Sequence, residues 1–465
     1  MKKIVLTILA IILVALCACN AKIKNKVEYP NDILIGVCDK KHRCGYVNLK
    51  NEVVVPFKYR FVNHKINEQG YSIVSRLDDG LYGVIDKKGN IIVDFKYDII
   101  GKYYDDRASV LKGEKRGYVD KTGKLVIPLQ YKVASDFREG LAKVSYDKKL
   151  YGAIDVNGKT VIPFEFERMS YCIDGLVEVT KNGKSGFYDR AGKQITPFIY
   201  NRTRTLKNGN ILVEVNKKIG IIDKNGKYVL EPKYEHYDVF YNIKPDLQLC
   251  LKDNKGVLNC GAFSKDGKQV IPLKYKRVVS LGDGLFEVTH HNGKVEYIHP
   301  KGELEFMDKP HDYTKFDRYE DGYVVAKKKD EAYGLLDKNG NVIVPFNYYH
   351  FWHFNDDIIR VEKAHRPAFY NKKGENIVPL GKYMFASDFN NGRAIVSKEY
   401  ALSLGDGLID KNGKVIFQSK NSEVEEITKG FYGVNSRSSN WSAVYDADGN
   451  VVIPHGKYSR IELHN

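Results

Sequence analysis

Long apolar runs are almost absent from this chain. The one candidate, Ile4 to Leu16, is interrupted by Thr7 and is too short to span a bilayer as a stable helix. A polytopic helical membrane protein is therefore excluded. Tryptophan occurs only twice, so aromatic bulk rests on 33 tyrosines and 21 phenylalanines. No HExxH helix and no GxSxG elbow occurs, which removes zinc proteases and elbow hydrolases. Gly183 to Ser185 reads GKS, but the earlier glycine of a phosphate loop is missing. Net charge is +16, yet the lysines are scattered among acids and form no dense basic tract. AT-rich coding alone produces such abundance of Lys, Asn, Ile and Tyr. No nucleic-acid motif accompanies the charge, so nucleic acid is not expected as a partner.

The N-terminus is what a leader requires. Lys2 and Lys3 precede the apolar run, and "LCAC" follows at Leu16 to Cys19. This stretch resembles the lipobox of bacterial lipoproteins. The resemblance implies a signal peptide over 1–18, cut so that Cys19 carries acyl chains such as palmitate. The alternative is an ordinary secretory signal cut nearby. Residues 19–32 are polar and basic and read as a lipidated tether. Asn20 is not the acidic retention residue known in some Gram-negative bacteria. That favours an outer-membrane or cell-surface place over the inner membrane.

Beyond the tether one unit recurs. "LYGAIDVNGKTVIPFEF" at Leu150 to Phe166 returns as "LYGVIDKKGNIIVDFKY" at Leu81 and "YGLLDKNGNVIVPFNY" at Tyr333. Twelve anchors align: Gly45, Gly83, Gly117, Gly152, Gly186, Gly220, Gly261, Glu296, Gly334, Ala368, Gly407 and Ala443, spaced 34 to 41 residues apart. A period of this size marks a repeat architecture. In the fourth unit, "GLAKVSY" from Gly140 alternates as a first strand, "YGAID" is a second and "KTVIPFEF" a third. Period-two geometry puts Thr160, Ile162, Phe164 and Phe166 on one face. Apolar residues on both faces demand cover on both, which stacked neighbours supply.

The acid, amide and glycine of Asp155-Val156-Asn157-Gly158 look like the start of a calcium loop. A calcium loop needs glycine sixth and glutamate twelfth, whereas here glycine is fourth and Phe166 twelfth. Asp first and Gly fourth suit a tight hairpin instead. The same Asp recurs at Asp86, Asp120, Asp189, Asp223, Asp337, Asp410 and Asp446, with Asn48, Asn371 and Ser264 in its place elsewhere. Pro163 recurs at Pro56, Pro128, Pro197, Pro272, Pro345, Pro379 and Pro454. Proline donates nothing to a ladder, so the third strand is expected to end there or lie at an edge. The aromatics three residues later are expected to form inter-repeat core.

A unit of Tyr-Gly-hydrophobic-Ile-Asp-x-x-Gly-Lys-x-Val-Ile-Pro-x-x-Tyr resembles the WG (KWG) repeat of bacterial proteins. The resemblance covers residues 33–463. The tryptophan that names the family falls at Tyr82, Tyr151 and Tyr333, or at Arg116 and Ser185. The family implies an all-β repeat, often exported or membrane-attached, and brings neither catalytic residues nor a cofactor.

Five cysteines remain after the leader. Cys44 and Cys260 stand just before anchors Gly45 and Gly261, and Cys38 and Cys250 lie upstream across the turn between strands one and two. Opposed residues in an antiparallel pair come close enough to bridge. Disulfides Cys38–Cys44 and Cys250–Cys260 are therefore expected in an oxidising compartment, with Cys172 left over.

The richest departure from the repeat is "YYHFWHFNDD", Tyr348 to Asp357. His350, Trp352 and His353 are extra to the unit. They suggest a ligand patch for protein or glycan, or else a bulky contact between repeats. His350, His353 and the distant His365 also suggest a metal, the least favoured of the three readings, and His290-His291 falls at a turn and reads as solvated. The expected fold is all-β: tandem three-stranded β-meander repeats in an open, curved β-solenoid, with propeller-like rings as the alternative. The expected role is an envelope lipoprotein that binds or scaffolds rather than catalyses. A purely structural protein is the second reading, and a glycan-acting enzyme the third.

Overall fold

The computed structural model describes residues 33–461, apart from 64–65, 67–69, 207, 240–245, 300–303, 305–311, 330–331, 399–405, 420–421 and 437–441. The leader, the tether and Cys19 lie outside the described residues. Those residues form strands and no helix, in eleven sheets whose pairings are all antiparallel.

The fourth unit shows why. Strands Leu141–Ser145, Tyr151–Asp155 and Thr160–Phe166 pair in a meander, with Val144 opposite Gly152 and Ala153 opposite Ile162. Between the second and third, Asp155 Oδ1 accepts the amides of Asn157 and Lys159, each at 2.9 Å. Gly158 closes the turn at φ 86°, a left-handed value open to glycine. Asp86, Asp120, Asp189, Asp223, Asp337, Asp410 and Asp446 accept the same two amides in their own units. The calcium-like motif is a hairpin.

The third strand does not end at its proline. Thr160–Phe166 runs through exposed Pro163, and the ladder bulges around it. Ala153 faces Ile162, but Tyr151, two residues back, faces Phe166, four residues on. A bulge leaves a residue unpaired, so the missing donor does not interrupt the strand. The bulge also breaks the expected alternation: Ile162 and Phe166 are buried, Phe164 half-buried and Thr160 exposed. It explains the anchor glycine as well. A Cβ on Gly152 would stand 2.8 Å from the Ile162 carbonyl oxygen and 2.9 Å from the Phe164 ring. Units ten and twelve carry Ala368 and Ala443 instead. Their third strands, Asn376–Val378 and Val451–Ile453, stop just before proline.

The core lies between units. Tyr118, Ile127 and Tyr131 of unit three pack with Phe137, Val144 and Ile154 of unit four. The aromatics that follow the prolines, or Asp94 in unit two (Tyr59, Tyr97, Tyr131, Phe166, Tyr200, Tyr234, Tyr275 and Tyr348), are buried, as the repeat implied. Several third strands lead directly into a strand of the next unit: Val53–Val62 pairs with the second strand of unit one and the first strand of unit two, whereas in unit ten six residues separate Asn376–Val378 from Phe385–Ala386. Hairpin glycines also bear on the preceding unit, since a Cβ on Gly123 would stand 1.9 Å from the Ile92 carbonyl oxygen.

This curved stack of meanders has ends that meet. Val37 pairs with Ile461 and Cys38 with Arg460, so the short strand Arg460–Ile461 fills in unit one the place of a lead-in strand. The Ser459 amide donates to the Cys38 carbonyl at 2.9 Å, and the Tyr458 hydroxyl to Asn51 Oδ1 at 2.8 Å. Ile35, Val37 and Leu49 share one apolar cluster with Phe431, Val452 and Tyr458. The sequence alone favoured an open stack and kept closed rings as the alternative. The tail after Pro454 carries just enough of a further repeat to complete the first sheet.

Candidate functional site

His350, Trp352 and His353 stand on one lead-in strand, His350–Asn355, between units nine and eleven. A bulge in its pairing with the first strand of unit ten, Ile358–Lys363, splays the residues between Phe351 and Phe354. The His350 and Trp352 rings lie 6.1 Å apart, His350 exposed and Trp352 half-buried. The Arg360 guanidinium covers the indole at 4.1 Å from its centroid, a cation–π contact. Arg360 Nε lies 2.9 Å from Asp388 Oδ1 of unit eleven, close for an ion pair though not aligned as a hydrogen bond. Its Nη1 donates to the Ala386 carbonyl. From the other side, Arg318 of unit nine donates from Nη2 to the Trp352 carbonyl at 2.6 Å. His353 Nδ1 lies 2.6 Å from Glu320 Oε2. Burial pulls the Arg318 guanidinium below its usual range, with Glu320 and Asp317 working against that.

The patch is thus a seam of three units in which Arg360 covers the indole, Asp388 pairs with Arg360, Arg318 holds the Trp352 carbonyl and Glu320 meets His353. It holds no nucleophile, and Glu320 and Asp388 are both engaged by cations. It presents one half-buried indole, one exposed imidazole and a set of paired charges. Sequence reasoning missed Arg318, Arg360 and Asp388. A signal existed in the middle of the first strand, where Lys143 of unit four and Arg360 of unit ten occupy matching places. Lys143 Nζ donates to the Met169 carbonyl at 3.2 Å, as Arg360 does to Ala386.

The remaining candidates resolve separately. Cys38–Cys44 and Cys250–Cys260 are disulfide-bonded, each pair directly opposed in its ladder. Cys172 is free and buried, with Sγ 3.5 Å from Glu139 Oε2; burial and that carboxylate push the thiol up to about 12. His290 is held 2.7 Å from Glu296 Oε2, and hydrogen bonds from Lys294 and His290 draw Glu296 down to about 2. Among the described residues, no three His, Cys, Asp or Glu side chains converge as metal ligands.

Eight segments match the WG containing repeat: 45–76, 82–115, 117–149, 151–184, 186–218, 219–242, 333–364 and 368–400, together more than half of the chain. Units seven and twelve lie outside those matches yet form four-stranded sheets of the same kind. No curated protein matches the chain. Among solved structures, PorZ, a surface component of the type-IX secretion system of Porphyromonas gingivalis, is 10% identical with TM-score 0.21, over 77% of this chain. The match spans 58% of the PorZ chain. The extracellular domain of BT4673 from B. thetaiotaomicron is 10% identical, TM-score 0.21, over 92% of this chain and 77% of its own. BamB from Moraxella catarrhalis is 12% identical, TM-score 0.23, over 63% of this chain and 92% of its own.

Proposed function

The chain belongs to the family built from WG containing repeats, and on that premise we propose that it is a lipid-anchored envelope protein that works by binding. Its ring of repeats presents a surface for a protein or glycan partner. The observation that carries this reading is where the side chains are spent. The recurring hairpin acids are engaged by backbone amides, whereas the non-repeating side chains gather at Trp352. Anchoring rests on Cys19 in "LCAC". Two experiments test the reading. Palmitate labelling should mark the wild-type chain and vanish in Cys19→Ala. Photo-crosslinking beside Trp352 in intact cells should trap one defined partner, with the adduct lost in Trp352→Ala; a crosslinker that traps nothing sinks the binding role.

A second reading has its own support. Arg360 covers the indole and Glu320 holds His353, so the patch also serves as a strut between units nine, ten and eleven. In that case Trp352→Ala lowers the melting temperature and leaves every envelope interaction unchanged.

A further inference from the structure

We infer that one arc of the hairpin rim, centred on the closure of the ring, is built to rest on an anionic bilayer surface. The inference rests on the lipid anchor proposed above. It begins with the first residue of each third strand, which follows the Asp-x-x-Gly hairpin and points outward. In units four, five, seven and ten this place is polar (Thr160, Gln194, Gln269 and Asn376), in unit six it holds half-buried Tyr228 and in unit eight buried Leu304. In units eleven, twelve, one, two and three it holds Val415, Val451, Val53, Ile91 and Leu125, from 39% to 54% exposed. These five units are consecutive, because unit twelve pairs with unit one. Val342 of unit nine is exposed too, but Asn376 separates it from the others.

The stripe is not explained by folding. Exposed aliphatics scattered singly need no explanation, but a run confined to one arc does. Its place is informative. The chain enters the body at Ile33, immediately before Leu34, and Leu34 pairs with Asn48 at the base of the first hairpin. Val47 beside it pairs with Val53. Entry point and stripe therefore share one rim, and the entry lies at the middle unit of the five. Between Cys19 and Ile33 a fully extended chain reaches at most about 50 Å, so the body cannot leave the lipid surface far behind.

The charge agrees. In these hairpins Asp86, Asp120, Asp410 and Asp446 are turned onto backbone amides. Exposed Lys50, Lys88, Lys124 and Lys414 face outward beside them. Besides those aspartates, Glu52 and Asp448 are the acids in the hairpins of this arc; Glu52 Oε2 accepts from Asn48 Nδ2 at 2.8 Å, and Arg393 pairs with Asp448 at 3.1 Å. Aliphatic side chains flanked by lysines suit the headgroup boundary of an anionic leaflet, where burial and charge act together.

The test uses the full lipidated chain in vesicles of phosphatidylethanolamine and phosphatidylglycerol, with a nitroxide quencher on the lipid. A fluorophore is attached through Asn90→Cys on the arc, or through Lys268→Cys at the matching place in unit seven on the far side. Quenching at 90 but not at 268 is expected, with loss at 90 when Val53, Ile91, Leu125, Val415 and Val451 are all changed to threonine. Equal quenching at the two sites overturns the inference, as does quenching at 90 that survives the threonine variant while its melting temperature is unchanged. The anchor reading fails differently: Cys19 then carries no lipid by mass spectrometry. The Cys19→Ala chain is still expected to float with these anionic vesicles and not with phosphatidylcholine alone; flotation with neither counts against the arc.

Discussion

At Asp155 one carboxylate oxygen accepts two backbone amides, and this small device recurs along the chain. It has a pH signature. For Asp86, Asp120 and Asp337 burial tends to raise the carboxyl, but hydrogen bonds from neighbouring amides and from Asn90, Thr122 and Asn341 outweigh it. Each folded carboxyl therefore titrates below the unfolded value of about 3.9. That stability is fully present above the unfolded value and is lost as pH falls through the folded one. Acid melting curves should show Tm declining below about pH 4, and the triple change to Asn should flatten the decline. A slope unchanged by the substitutions contradicts the assignment. Gly158→Val places a β-branched residue at φ 86° against the Ile127 side chain and should cost about 1–3 kcal/mol. Added calcium should leave the wild-type Tm where it is. The hairpin was legible in the sequence because its donors, acceptor and glycine lie within five residues of one another.

Strands were harder to read than turns, because their limits depend on what lies alongside. Proline removes a ladder donor, and from the sequence that ends a strand. In the sheet it sits within a bulge that unit two forms in the same register with Asp94 in its place, so the bulge absorbs the missing donor. The anchor glycine was visible as a recurrence but not as a cause. Its reason is the bulged strand passing over its Cα, a contact between residues ten apart. The same geometry yields a matched pair of substitutions. Gly152→Ala forces a methyl against the Ile162 carbonyl and should destabilise by about 1–3 kcal/mol. Ala368→Gly, where the strand stops early, should lose only about 0.5–1 kcal/mol through backbone entropy. Equal losses in denaturant titrations would refute the bulge explanation. The Trp352 patch was half legible for a similar reason. Its aromatic and histidines stand out in one segment, whereas Arg318 and Asp388 come from the units on either side.

For the whole molecule the decisive contact joins residues about 420 apart in sequence, Cys38 with Arg460. No local pattern announces such a contact, which is why the sequence implied curvature but left an open stack and closed rings as alternatives. Repeat stacks usually expose two terminal faces that need polar caps. Here the faces cover each other. Tyr458→Ala combined with Ile461→Asp should separate them, lowering Tm and enlarging the radius of gyration in solution scattering. A radius unchanged by both substitutions would mean that the seam does not hold the shape. The Cys38–Cys44 bond gives the seam a mechanical role. With the chain anchored through Cys19 as proposed, load on the tether would enter at Ile33 and run along Leu34–Cys38, the strand against which the C-terminal tail is laid. Without a crosslink, that strand would unzip and release the tail, and the whole ring would open from one pull. The bond lies at the far end of the strand, so peeling stops there and the force passes into the second strand of unit one. In optical-trap pulling from the N-terminus, reduced protein should rupture at lower force and in longer steps than oxidised protein. The crosslink would then act as a strain relief, like the knot where a cable enters its housing.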